Sequence, residues 1–132
     1  MSTLDLLLKL DESKIKEKPT RKVEIKRLSE ALGEKVVFTC QAISMNKMAE
    51  IQSMAVDFQT QQVDTQEVQI MTVLAGIVDP DLKDKRLLEK FGAPTPKELL
   101  QKLLLSGEIT RLYNVIAEIS GYGPEAVANV KN

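Results

Sequence analysis

The apolar pattern of this chain changes period near Ser44, and that change constrains the fold more than any other feature. Upstream, Arg21-Lys22-Val23-Glu24-Ile25-Lys26 alternates with period two, as do Val36, Phe38, Cys40 and Ala42. Both runs are rich in β-branched residues and predict strands. The LSEALGE stretch between them is too long for a two-residue hairpin turn, and Gly33 suits the left-handed position that ends a helical turn. An antiparallel pair joined by a helical turn follows. Downstream, Met48, Ile51, Ala55 and Phe58 recur three and four apart behind a Ser44 cap, which predicts a helix over 45–57.

The polar stretch QTQQVD carries no period. Asp64 and Glu67 then stand in a capping-box relation before VQIMTVLAGIV. In that run Val68, Met71, Leu74 and Val78 form one stripe and Ile70, Val73 and Ile77 another. A helix apolar on two sides is either central in the fold or shared with a partner. Asp79-Pro80 stops it, and Asp81 is placed to start a short helix over Leu87, Leu88 and Phe91 that Gly92 ends. Thr95-Pro96-Lys97-Glu98 combines a threonine cap, a proline at the first helical position and a glutamate at the third, so a helix begins there and carries Leu99, Leu100, Leu103 and Leu104. Ser106 is expected to cap a last helix bearing Ile109, Leu112, Ile116 and Ile119.

At the N-terminus, LDLLLKL puts Leu4, Leu7 and Leu8 on one helical face behind a Ser2 or Thr3 cap. Two turns of helix are not stable alone in water, so these leucines dock either on the body of the same chain or on a partner. The expected organisation is a single domain, 1–132: a short amphipathic helix in 1–12, a polar linker over 13–20, a body over 21–120 and a loose tail over 121–132. Two strands followed by about five helices make the fold class α+β, mostly α.

The 132 residues carry 43% apolar side chains, a net charge of −1, one cysteine and no histidine. A chain of this length buries about two-thirds of its unfolded surface without metal or disulfide support. Catalytic triads, Cys–His pairs, histidine-ligated zinc and CxxC redox chemistry are excluded. Cys40 falls on the apolar side of a strand and reads as inert packing. Asp79, Asp81 and Asp84 lack the glycine and closing glutamate of an EF-hand loop and read as helix caps. No enzyme, cofactor or metal site is expected, no small-molecule substrate and no membrane span; with no signal-peptide pattern in the first ten residues, the chain reads as cytosolic.

Residues 14–27 hold Lys14, Lys16, Lys18, Arg21, Lys22, Lys26 and Arg27 against Glu17 and Glu24, yet no aromatic residue on which a base could stack. This is the wet side of a sheet, and the near-neutral last three helices do not supply the phosphate attraction that dominates DNA binding. Met45, Met48, Met54 and Met71 lie in the two central helices, where they either fill core or offer adaptable apolar surface to a partner. Met45, Met48 and Met54 cannot all share one face with Ile51 and Phe58, so at least one stays exposed.

VEIKRLSEALGEKVVFTCQAI (23–43), GIVDPDLKDKRLLEKFGAPTPKELLQKLLLSGEI (76–109) and LYNVIAEISGYG (112–123), in that order, resemble the XkdN-like tail assembly chaperones of phages and prophages in Gram-positive bacteria. The resemblance implies a non-enzymatic protein of the bacterial host cytoplasm that binds the tape measure protein and keeps it soluble until tail tube subunits polymerise around it. It implies absence from the mature virion. Weak sites on a self-associating chain suit one long client, so a homo-oligomer is expected. The candidate contact residues are Leu4, Leu7, Leu8, Met48, Met54 and Met71. Composition also admits a structural tail or baseplate component retained in the particle, or a DNA-binding regulator.

Overall fold

The computed structural model describes residues 1–130. Helices α1 (Thr3–Leu8) and α2 (Glu12–Lys16) precede strand β1 (Thr20–Glu24), helix α3 (Lys26–Leu32) and strand β2 (Val37–Gln41). Helices α4 (Met45–Met54) and α5 (Thr65–Gly76) lead into strand β3 (Ile77–Asp79). Helices α6 (Lys85–Lys90), α7 (Pro96–Leu103) and α8 (Ser106–Ala117) follow, and α8 runs into a π-helical turn, Glu118–Tyr122. The fold is α+β and mostly α, as the change of period predicts.

β1 and β2 pair antiparallel with Val23 opposite Phe38 and Arg21 opposite Cys40. Opposed residues share a face, so Val23, Phe38 and Cys40 look inward while Lys22 and Thr39 look outward. α3 fills the connection: the Ser29 hydroxyl accepts the Val36 N–H at 2.8 Å, and Gly33, at φ 74°, closes the helix in the left-handed region.

The sheet has a third strand that the apolar stripes of 68–78 hide. That run was expected to stay helical up to Asp79-Pro80, but α5 ends at Gly76 and Ile77–Asp79 pairs antiparallel with β2, Ile77 opposite Cys40. The residue before a proline is pushed into extended backbone, and Ile77 and Val78 are β-branched, so the local preference and the open β2 edge agree.

Other boundaries move by a few residues. α4 stops at Met54 and not at 57. α6 starts behind Asp84, whose carboxylate accepts the Arg86 N–H at 2.9 Å; Asp81 instead accepts the Lys83 N–H in the preceding turn. Ser106 is the first residue of α8 and not its cap: Leu105 holds that position, and Glu108 accepts the Leu105 N–H at 2.7 Å. Thr95 caps α7 as predicted, accepting the Glu98 N–H at 3.2 Å. The polar stretch 13–20 is no uniform linker, because α2, capped by Asp11, takes up residues 12–16. Of the loose tail expected over 121–132, residues 131–132 lie outside the described residues.

The main core joins Phe38 and Cys40 of the sheet to Ile70 and Val73 of α5, Leu99 and Leu100 of α7, and Leu112 and Ile116 of α8. A smaller cluster, Ile51, Ala55 and Val68, sits between α4 and α5, with Met71 and Tyr113 packed against it. Ser120 ties the end of α8 to this layer, accepting the Ile43 N–H at 2.9 Å and donating to the Ile116 carbonyl. Neither α1 nor α2 contributes a buried residue.

Candidate partner-binding surface

α1 is built locally. The Ser2 hydroxyl accepts the Asp5 N–H at 3.1 Å and the Asp5 carboxylate accepts the Ser2 N–H at 3.2 Å, a reciprocal cap that sets the first turn without help from the body. Its leucines meet solvent: Leu4 is 65% exposed, Leu7 58% and Leu8 74%. Leu6, Leu10 and Ile15 are exposed beside them. Monomeric proteins rarely leave contiguous apolar surface of this kind uncovered unless it serves a contact. Of the two dockings open to these leucines, docking on the body does not occur in the structure.

The methionines divide. Met45 and Met54 are exposed, Met54 at 63%, whereas Met48 is buried at 7% and Met71 is half-buried against the smaller cluster. The six candidate residues therefore do not form one continuous surface. Leu4, Leu7, Leu8 and Met54 are exposed, Met48 is buried on α4, and Met71 packs against the smaller cluster.

Phe58 is the large apolar residue that periodicity misplaces. Its spacing continues the stripe of Met48, Ile51 and Ala55 that predicts the 45–57 helix, but it stands 89% exposed on a loop. That loop is closed by a Val56–Val63 bridge, by the Asp64 N–H donating to the Ala55 carbonyl at 2.9 Å and by the Asp57 N–H donating to the Gln62 carbonyl at 2.8 Å. The aperiodic, glutamine-rich QTQQVD was the signal available in the sequence.

Cys40, Asp84, Arg21 and Arg27 are each held by their surroundings. Burial pushes the Cys40 thiol up, against a smaller downward pull from the Arg21 charge. The Asp84 carboxyl is pulled down to about 2, chiefly by the Arg86 side chain, whose guanidinium reaches it at 2.8 Å. Arg21 lies 3.4 Å from Glu118, and Arg27 forks onto Glu108 at 2.9 and 3.1 Å while donating to the Leu103 carbonyl at 2.9 Å. Two cations of the basic segment thus fasten the sheet region to the last helix. Among the described residues no group of three cysteine or carboxylate side chains could hold a metal ion, and no helix is long and apolar enough to cross a membrane.

The family model for phage XkdN-like tail assembly chaperone proteins matches residues 4–131. The chain belongs to this family of tail assembly chaperones. Among solved structures, the crystal structure of the protein YqbN is similar, with 26% identity and a TM-score of 0.61, covering 79% of this chain and 87% of that one. No curated protein matches the chain. The chaperone's role lies in phage tail assembly and its partners are phage proteins.

Proposed function

We propose that this chaperone binds the tape measure protein and keeps it soluble in the host cytoplasm until the tail tube polymerises around it, then leaves before the virion is complete. The observation that supports the reading is the uncovered leucine face of α1. A pre-capped, apolar, two-turn helix on a short tether matches the needs of a holdase that docks against helical segments of a long client. Leu4, Leu7, Leu8 and Met54 supply direct contacts, while Met48 and Met71 provide deformable packing beneath α4. No bond is made or broken, so no cofactor or titrating side chain is required. Copies associate along one client, and many weak contacts sum to a firm hold.

Co-expression with the tape measure protein of the same phage tests the reading. The client should be soluble only when the chaperone is present, and mass spectrometry of purified tails should find no chaperone. A client that is equally soluble alone overturns the reading, and stoichiometric retention in particles would make the protein a structural component.

A further inference from the structure

Away from α1, the start of α4, the junction of α5 with β3 and the N-terminus of α7 enclose a groove of about 770 Å³. Ile43, Leu74, Leu82 and Pro96 give its lining an apolar part. Lys18, Lys47, Lys83 and Lys97 line the same groove against a single acid, Asp81. Lys97 is bonded to Glu67 at 2.8 Å and Lys47 approaches Glu50 at 3.6 Å, whereas Lys18 and Lys83 form no ion pair among the described residues. The volume lies in the range of sites that enclose several side chains. A groove lined by both lysines and apolar side chains suits an apolar helix flanked by carboxylates.

The chain carries such a segment. Residues 3–12 place Leu4, Leu7 and Leu8 on one face and hold Asp5, Asp11 and Glu12 against Lys9 alone. The leucines are exposed, so in this monomer the segment does not occupy the groove. We propose that the groove receives α1 of a second copy of this chain, the leucines against its apolar lining and the flanking carboxylates against Lys18 and Lys83. The exchange is reciprocal, since each copy offers both a groove and a helix. One two-turn helix covers less than the ~800 Å² per partner of a standard stable interface, so the association is weak and concentration-dependent. The proposal rests on the self-association part of the function proposed above; α1 seated in a second copy's groove is withdrawn from the client, so the two uses of its leucine face are alternatives and client binding keeps a separate readout.

Sedimentation velocity on the full chain, with a pair of charge-exchange variants, tests it. The wild type should shift from monomer towards dimer as concentration rises. Lys18→Glu with Lys83→Glu puts acids around the groove, and Asp5→Lys with Glu12→Lys puts bases on the helix; each double variant should stay monomeric. The Ser2 hydroxyl still caps the backbone N–H of residue 5 in the second variant, and circular dichroism checks that both remain folded. Mixed at equal concentration, the two should associate, because the basic helix now meets the acidic groove and the acidic helix meets the basic one. A wild type that is monomeric at every concentration, as it would be if its own α1 or only the client filled the groove, overturns the proposal. So do variants that still self-associate, or a mixture that stays monomeric. The client's solubility in co-expression is scored independently, so failure here is distinguishable from failure of the tape-measure reading.

Discussion

At Glu108 one carboxylate serves two partners. It accepts the Leu105 N–H at the start of α8, at 2.7 Å, and both arms of the Arg27 guanidinium from α3. The Arg27 bond, ahead of the backbone bond, holds the Glu108 carboxyl below its ordinary value of 4.5. A carboxyl lowered by folding contributes stability above its unfolded value, and that contribution is lost as pH falls through the folded value. Glu108→Gln should cost up to about 1 kcal/mol at neutral pH, as the lost charge of a partly exposed ion pair, because the glutamine amide oxygen still accepts the Leu105 N–H. Urea unfolding at pH 7 and pH 3 checks this: the gap between wild type and variant should narrow in acid. The capping role was not legible beforehand. Ser106 is the residue type that caps helices, and nothing local reveals that an arginine 81 positions away would aim Glu108 at the turn.

α5 and α8 pack tightly at Gly76. A Cβ built on Gly76 would stand 2.6–2.9 Å from three side-chain atoms of Ile116, which is fully buried. Gly76→Ala gains up to about 1 kcal/mol of helix propensity but overpacks a site with no room to yield, at about 1–3 kcal/mol. Net destabilisation is expected by thermal unfolding, and Ile116→Val should lessen it in a double-mutant cycle. The leucine helix belongs to this scale too. Fully burying a leucine contributes about 1.5–3 kcal/mol, so replacing Leu4, Leu7 and Leu8 together by Ser should lower the soluble client in co-expression by at least about tenfold while leaving the body's Tm unchanged. Boundaries set by one cap, such as Thr95 on α7, were readable from four consecutive residues. The end of α5 was not, because Ile77 and Val78 suit either a helix or a strand and the neighbouring edge of β2 settles the choice.

On the scale of the whole molecule the chain separates into a core that seals itself and an N-terminal segment that adds no buried residue. Removing residues 1–12 should leave a cooperatively folding protein with an unchanged Tm, lose only the circular dichroism of α1 and of α2, whose cap goes with Asp11, and abolish both self-association and client solubility. An unfolded truncation would place α1 within the core and sink both proposals. The sequence by itself determined the fold class, the antiparallel pairing of β1 with β2, the start of α7 and the absence of histidine chemistry, because period, caps and composition act within a few residues of where they are read. Tertiary structure alone decided that Met48 is sealed while Met54 is not, that Phe58 stands out on a loop, that a third strand completes the sheet and that the leucines of α1 find no cover. Apolar character states that a side chain gains by burial; whether a complementary surface with free volume lies within reach depends on residues brought together from the whole chain.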